Sequence, residues 1–438
     1  MSPFAWVVRS AKEDYRVPCM FSTLESKAHS KRKRMISNVY SKSFVMSSEA
    51  AKAQSHAIMF DRLLPLLDDE AAKSHGGTKV QSLFMATTMD MISAYIFGLS
   101  NGTNFLENKT YRDEWLDLYL SRHHHHFWPQ ELPFLTGLLK RIGVRLYPAF
   151  VDEANKNLRS WNKHRCEKAK ESYLGGAKDT DPANFPVVFN AMQEGIRKEE
   201  KVEGRKSILY GTTILQRDAS IASEILDQVL AGHETAGIVL TYASWHLSQS
   251  PSLQTQLREE LSPLTTGCED VLPDTRKLDG LPLLNAIVME TLRLHAPIPG
   301  PQPRQTPYPG SHIEGHYIPG GVRVASLAHT LHLNEKVFDK AATWDPNRWL
   351  QSSDQDAMKR HFWAFGSGGR MCIGSNFALQ GLSAFVEVVE LKTVLAVIYV
   401  NFTTTIVDDS GIEQTGGYSA RPRADQLFLR FRRVSEST

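Results

Sequence analysis

Apolar residues recur at the spacing of an α-helix through most of this chain. Three segments show the pattern most clearly: residues 85–98, 220–248 and 283–294. The first ends at a glycine and the second stops before Pro251, and both residue types terminate helices. Residues 382–402 predict a buried helix that runs into a strand, because a few charged residues interrupt an otherwise apolar segment.

Strand patterns are short and few. Residues 312–317 and 322–327 flank Pro319-Gly320-Gly321, which is a strong turn signal. Two further segments, 397–407 and 426–431, also alternate in the way that strands do. The sequence therefore predicts a mainly α fold with small β-sheets.

Composition narrows the class of protein. The 438 residues are 42% hydrophobic and 22% charged, with a net charge of +2, which indicates a globular protein and gives no sign of a nucleic-acid partner. Cysteines 19, 166, 268 and 372 lie far apart without a Cys-x-x-Cys pair, which argues against a disulfide framework or a zinc site. No apolar run reaches the roughly 18 residues of a membrane span, so the sequence contains no anchor.

The segment with the strongest chemical signal is 365–374, Phe-Gly-Ser-Gly-Gly-Arg-Met-Cys-Ile-Gly. Its glycines allow the backbone to approach a flat or bulky group closely. Cys372 precedes a helical pattern that starts at Ser375, and a helix N-terminus stabilises a thiolate. Arg370 can neutralise a carboxylate above the sulfur. The alternative is a glycine-rich turn with a structural cysteine.

A second segment is Ala231-Gly-His-Glu-Thr-Ala-Gly237, at the centre of the long helical pattern. Gly232 and Gly237 each cost about 1 kcal/mol relative to alanine in a helix. One interpretation is a surface helix with Glu234 in water. The other is a local distortion where a small ligand approaches the backbone and where Glu234 and Thr235 relay protons.

Together these segments resemble the cytochrome P-450 family, in particular its fungal microsomal members. Residues 365–374 fill every fixed position of the family's Phe-x-x-Gly-x-Arg-x-Cys-x-Gly loop, and 231–235 match its oxygen-activation motif. Glu290 and Arg293 match its Glu-x-x-Arg pair, and Arg348 lies in a segment similar to Pro-Glu-Arg-Phe. The resemblance implies the P-450 fold, with a single catalytic domain over residues 1–438.

The resemblance also implies roles for the residues of the loop and its surroundings. Cys372 would be the axial ligand of a haem b iron, the role that a thiolate has in this family. Arg370 and Arg304 would bind the haem propionates. The remaining contacts expected with the cofactor are Phe365, Gly366, Gly374 and Ala231.

The same resemblance implies roles for two further groups of residues. Gly232, Glu234 and Thr235 would serve catalysis, the glycine beside bound dioxygen and the other two as proton donors. Glu290, Arg293 and Arg348 would form a buried charge-paired cluster that holds the thiolate loop, which is a structural role.

The basic segment 27–34 has three interpretations: a targeting or nucleic-acid patch, a solvated helix face, or a haem contact. His29 and Lys33 lie four residues apart and resemble the family's helix that reaches the propionates, with lysine in place of the usual arginine. Lys31 and Arg32, with Lys359 and Arg360, are candidates for a basic docking surface for a reductase.

The function implied is insertion of one oxygen atom from dioxygen into a small nonpolar substrate, with NADPH electrons delivered by an NADPH-cytochrome reductase. The resemblance to fungal members suggests secondary metabolism. The alternatives are an isomerase or dehydratase on the same fold, or a truncated, inactive haem-binding relative.

The same resemblance also gives expectations for the cellular location of the protein and for the completeness of its fold. The family is associated with the cytosolic face of the endoplasmic reticulum, whereas a chain without an anchor is compatible with the cytoplasm. Family members carry an anchor and a helix-plus-strand segment before the first residues seen here. The fold is therefore expected to be N-terminally incomplete, with exposed strand edges near residues 312–327 and weak haem binding.

Overall fold

Helices make up most of the fold, as the apolar spacing predicts. The computed structural model describes residues 17–73, 76–122, 125, 127–174, 181–265, 275–351, 354–374 and 386–434. Its α-helices are Ser26–Ile36 (α1), Lys42–Ser47 (α2), Glu49–His56 (α3), Leu64–Ala72 (α4), Val80–Phe97 (α5), Lys109–Ser121 (α6), Phe127–Glu131 (α7), Pro133–Arg141 (α8), Ala149–Leu174 (α9), Val187–Val202 (α10), Arg217–Ser248 (α11), Pro251–Thr265 (α12), Thr275–Asp279 (α13), Pro282–Leu294 (α14), Ala328–His332 (α15), Arg348–Gln351 (α16), Gln355–His361 (α17) and Val386–Asn401 (α18).

Short π-helical and 3₁₀ turns connect some of these helices. The π turns are Ala57–Leu63 and Tyr210–Ile214, and the 3₁₀ turns are Leu99–Asn101, Pro182–Asn184, Gly204–Lys206 and Gly368–Arg370. Among the described helices, none combines the length and the apolar character that crossing a membrane requires.

The strands form three small sheets. Their bounds are Thr78–Lys79 (β1), Pro301–Gln305 (β2), Gly310–Ile313 (β3), His316–Pro319 (β4), Arg323–Leu327 (β5), Phe402–Asp408 (β6) and Phe428–Arg433 (β7). The sheet orders are β1-β7-β6, β2-β5 and β3-β4, and the first and third sheets are antiparallel. The predicted fold class, mainly α with small β-sheets, is confirmed.

Two strand predictions were wrong in detail. The segment predicted as one strand over 312–317 is a hairpin, because Glu314 and Gly315 adopt positive φ and reverse the chain between β3 and β4. The strand predicted to start at residue 397 starts at Phe402, because 397–401 still belong to α18. Apolar β-branched residues on a buried helix mimic a strand pattern.

The chain forms two compact units. The first contains the described residues up to Val39, with Ser93–Ala231 and Gln305–Arg323. Its core includes an aromatic cluster in which Trp115 stacks on Tyr119 at 5.4 Å between ring centroids. The second contains Tyr40–Ile92, Gly232–Arg304 and the described residues from Val324 onward. A single catalytic domain over the whole chain stays a prediction.

Helix packing within the second unit explains why α11 contains Gly232 and Gly237. A Cβ on Gly232 would lie 2.9 Å from Ile92 Cγ1, and a Cβ on Gly237 would lie 2.9 Å from Met85 Cγ and 3.2 Å from Met85 Cα. Between these contacts, Thr88 Oγ1 lies 2.7 Å from the His233 carbonyl oxygen. The two glycines therefore let α5 approach α11 closely. The helix runs unbroken from Arg217 to Ser248, without the distortion predicted at this point.

Candidate functional site

The Cys372 loop has a defined shape within the second unit. The Cys372 N–H donates to the Phe365 carbonyl at 3.0 Å, which closes the loop at its base. Gly366 and Gly368 both have φ of +71°, a conformation that L side chains rarely adopt. At Gly368 and Gly369, a Cβ would meet nothing within 4 Å among the described residues.

These features fit a haem. Cys372 forms no disulfide within the described part of the chain and is half-buried, and no described atom lies within 4 Å of a Cβ placed on Gly368 or Gly369. Gly374 is buried and Arg370 and Phe365 are half-buried. The helix start predicted immediately after the loop, at 375–385, lies outside the described residues.

Arg304 on β2 holds the same loop. Its Nη2 donates to the Ser367 carbonyl at 3.0 Å and its Nη1 to the Pro303 carbonyl at 2.9 Å. Partial burial lowers the pKa of the Arg304 guanidinium from its usual value. Its neighbour Gln302 packs against Gly366, where an added Cβ would lie 2.7 Å from Gln302 Oε1. The structure therefore brings Arg304 to the loop, and its propionate role stays a prediction.

Glu290, Arg293 and Arg348 lie together in one buried cluster. Glu290 Oε1 accepts from Arg293 Nη2 at 2.7 Å, from Arg348 Nε at 2.9 Å and from the Asp345 N–H at 2.9 Å. Glu290 Oε2 accepts from Arg293 Nε and Trp349 Nε1, both at 2.9 Å. Five donors on one fully buried carboxylate satisfy it completely, which is the condition under which such a charge is tolerated.

Two routes connect this cluster to the Cys372 loop, and no sequence pattern indicates either of them. Along the first, Trp349 packs edge-on against Phe362, whose ring lies 6.4 Å from that of Phe365. Along the second, His332 lies between Arg293 and Trp363. A histidine and an aromatic pair without fixed spacing carry no signal in a single sequence. The charged cluster is thus coupled to the Cys372 loop through packing and hydrogen bonds.

The 231–235 segment of α11 has one open face. Ala231 is exposed and Thr235, one turn later, is half-buried, whereas Gly232, His233 and Glu234 are buried. Residues four apart share a helix face, so the two open positions form one stripe. Leu230 and Asp227 are also partly open and extend it by one turn.

Glu234 has a buried partner that the sequence analysis missed. Arg421 Nε lies 3.7 Å from Glu234 Oε1 and 3.4 Å from Asp425 Oδ1. Arg421 follows no motif and comes from a loop near the C-terminus, so only the tertiary structure identifies it.

The basic helix α1 belongs to the first unit. His29 is buried and Lys33 half-buried, and their contact with haem propionates stays a prediction. Arg32 was predicted to lie on a docking surface, which is wrong. It is 3% exposed and its guanidinium donates to Ser220 and Thr212, while Lys31 is paired with Glu199 at 2.7 Å.

Comparisons with known proteins agree with this site. Residues 14–389 match the family model described as cytochrome P-450. The chain is 27% identical over 394 residues to the cytochrome P-450 monooxygenase avaI of Aspergillus versicolor, covering 86% of this chain and 85% of that protein. It is 26% identical over 428 residues to the cytochrome P-450 monooxygenase hkm5 of Aspergillus hancockii, covering 95% and 75%.

Solved structures share the fold. The crystal structure of a cytochrome P-450 (CYP102L1) superposes with a TM-score of 0.71 over 99% of this chain and 87% of that chain, at 18% identity. At 18% sequence identity, this similarity establishes the fold alone. With the family match over most of its length, this chain belongs to the cytochrome P-450 family, and it is a haem-binding oxidoreductase of the monooxygenase type.

Proposed function

We propose that this enzyme inserts one oxygen atom into a small, largely nonpolar organic molecule, with electrons that a reductase delivers from NADPH. The observation that carries the proposal is the closed loop of Cys372, tied by Arg304 to β2 and by His332 to the Glu290 cluster. Such bracing keeps a thiolate in one position. The relatives named as fungal monooxygenases support a role in secondary metabolism.

Cys372 would hold the haem iron, and Arg370 and Arg304 would neutralise the propionates. Phe365, Gly366 and Gly374 would contact the cofactor beside Cys372, and Ala231 and Thr235 of α11 would also contact it. When bound, the haem supplies dioxygen activation, and its thiolate ligand favours cleavage of the O–O bond.

Glu234 and Thr235 would supply protons to the reacting oxygen. Thr235 faces the open stripe of α11, where its hydroxyl can donate a hydrogen bond and accept another. Glu234 is buried on the neighbouring face and has the carboxylate that can replenish the proton. Gly232 packs against Ile92 of α5, and this contact keeps the turn of α11 in place.

The substrate would contact the same stripe of α11. Leu230 and Ala231 are apolar, which favours a nonpolar molecule. Asp227 is the polar exception, but burial and the nearby Glu224 raise the pKa of the Asp227 carboxyl to about 8. At neutral pH this group is therefore mainly uncharged, and its side chain hydrogen-bonds with Cys19, which offsets part of the rise.

The test of the proposed function is Thr235→Ala with Thr235→Ser as its control. Thr235→Ala should retain the carbon monoxide difference spectrum of the thiolate-ligated haem and consume NADPH without forming product, while Thr235→Ser should recover product. Equal coupling in both variants would contradict the relay. Product formed without NADPH or reductase would favour an isomerase or dehydratase instead.

We further propose that the enzyme works at a membrane surface through an apolar patch in the first unit. Phe134 and Ile142 are 66% and 69% exposed. Residues 132–149 contain three basic side chains and no acidic one, although Lys140 and Arg145 both pair with Asp152. An apolar surface with a basic border suits an anionic lipid surface. The exposed apolar residues of this patch are Leu132, Phe134, Leu135, Leu138, Ile142, Val144 and Phe150.

A further inference from the structure

One guanidinium stands between two carboxylates in the second unit. Arg421 Nε lies 3.4 Å from Asp425 Oδ1 and 3.7 Å from Glu234 Oε1. An arginine Nε carries a single hydrogen, so it can donate to only one of these oxygens at a time. Both distances exceed the usual range for a charge-assisted hydrogen bond, so neither partner holds Arg421 tightly.

The two carboxylates differ in their access to water. The Glu234 side chain is 6% exposed, whereas that of Asp425 is 36% exposed. Gln81 Nε2 also donates to Asp425 Oδ1, at 3.3 Å, so this oxygen lies close to two donors. Arg421 therefore links a carboxylate at the surface to the buried carboxylate beside Thr235.

The backbone around Arg421 is fixed, so the adjustable part is its side chain. The Arg421 carbonyl accepts from the Thr415 N–H at 2.8 Å, and the Ala420 N–H donates to the Pro297 carbonyl at 2.8 Å. Asp425 closes the following turn with φ of 50° and an N–H bond to the Pro422 carbonyl at 3.0 Å. Arg421 Nη1 has no hydrogen-bond acceptor among the described residues, although it is buried.

We infer that Arg421 is a positioning residue for Glu234: its guanidinium, placed between Glu234 and Asp425, orients the Glu234 carboxylate for proton supply. The inference rests on the proposed proton-supplying role of Glu234 and Thr235. Arg421 lies against the buried Glu234 carboxylate on one side and against the Asp425 carboxylate on the other.

The energetic test is a pair of double-mutant cycles measured by urea unfolding of the haem-loaded protein. One cycle combines Arg421→Met with Glu234→Gln, and the other combines Arg421→Met with Asp425→Asn. Both cycles should be non-additive, because Arg421 interacts with both acids. Additivity with Glu234 alongside non-additivity with Asp425 would overturn the inference and leave Arg421 a purely structural partner of Asp425.

The functional test measures the fraction of NADPH electrons that reach product. Arg421→Met should lower this fraction on the order of tenfold with an unchanged KM, a smaller effect than the roughly 10²–10⁴-fold contribution of a general acid itself. Arg421→Lys keeps a cation and should recover part of the loss. Arg423→Met, at an exposed arginine two residues away, is the matched control and should match the wild type.

Different results would contradict the proposed function and the role of Arg421. If Glu234→Gln leaves the product fraction unchanged, the proton-supplying role is wrong and the inference falls with it. If Glu234→Gln lowers the fraction but Arg421→Met does not, only the role of Arg421 is wrong. If Arg421→Met does not fold, Arg421→Lys takes its place: a lowered product fraction would support the inference, and a wild-type fraction would overturn it.

Discussion

His332 Nε2 accepts a hydrogen bond from the Trp363 N–H at 2.7 Å. Its Nδ1 lies 2.7 Å from the Arg293 carbonyl, which can only accept, so Nδ1 carries the proton. Arg293 Nη1 in turn donates to the His332 carbonyl at 2.8 Å. One imidazole thus joins the Glu290 cluster to the start of the Cys372 loop, and burial lowers its pKa to about 3.

We expect His332→Phe to destabilise the protein and to weaken haem retention. The phenyl ring preserves the stacking on Phe362 but leaves the Trp363 N–H and the Arg293 carbonyl without partners. Each orphaned group costs about 1–3 kcal/mol, so the free energy of unfolding should fall by about 2–6 kcal/mol. Urea unfolding and the carbon monoxide difference spectrum measure both effects. His329→Phe, at an exposed position, is the control, and equal stability of the two variants would contradict the link.

Acid should destabilise this protein through buried neutral histidines. The rings of His246 and His295 meet at 2.9 Å between their Nε2 atoms, and burial lowers their pKa values to about 2 and about 3. An unfolded histidine, with a pKa of about 6.5, binds a proton below that pH whereas the folded one does not, so stability falls as pH falls from about 6.5 toward 3. By pH 5 each histidine should contribute a loss of about 2 kcal/mol.

The comparison of variants isolates this contribution. Urea unfolding near pH 7.5 and near pH 5 should show a smaller acid loss in the His246→Gln, His295→Gln double variant than in the wild type. Asp227, with its raised pKa, changes stability in the opposite sense with pH, but its contribution is common to both proteins. His164→Gln, at an exposed position, should keep the wild-type loss. An unchanged acid loss in the double variant would refute the assignment.

The two glycines of α11 should differ in their tolerance of alanine. Alanine improves helix propensity by about 1 kcal/mol, whereas overpacking costs about 1–3 kcal/mol. At Gly232 the new methyl meets only side-chain atoms of Ile92, whereas at Gly237 it meets Met85 Cγ at 2.9 Å and also the Met85 backbone at 3.2 Å, which cannot move. Thermal unfolding should therefore rank Gly237→Ala below Gly232→Ala, and Gly232→Ala should cost less in an Ile92→Ala background, which lacks the contacting Cγ1 and Cδ1 atoms. The reverse ranking would show that α5 does not limit these positions.

Removing apolar side chains from the exposed patch should weaken binding to lipid. Phe134→Ser with Ile142→Ser should lower co-sedimentation with vesicles of anionic phospholipid, because burying each large apolar side chain contributes about 1.5–3 kcal/mol. Tyr308→Ser with Val202→Ser removes side chains that are at least as exposed elsewhere and is the control. Equal loss of binding in both variants, or none in either, would contradict the membrane patch.

The sequence alone identified the parts of this protein that depend on local spacing. The bounds of α14 and the centre of α11 follow from helical periodicity, and Glu290 and Arg293 share a face because they are three residues apart. The Cys372 loop is recognisable for the same reason, since its glycines, arginine and cysteine stand at fixed intervals. These features are properties of short stretches, so they need no knowledge of what packs against them.

Only the tertiary structure could identify partners that come from distant segments. His332 lies between Arg293 and Trp363, Met85 packs against Gly237, and Arg421 lies beside Glu234. None of these contacts has a characteristic spacing, because each depends on how separate helices and loops pack in three dimensions. Arg32 is an opposite case. Its place in a basic run predicted an exposed side chain, but the structure buries it against Ser220. Local periodicity determines which elements form, and packing between elements decides which side chains meet.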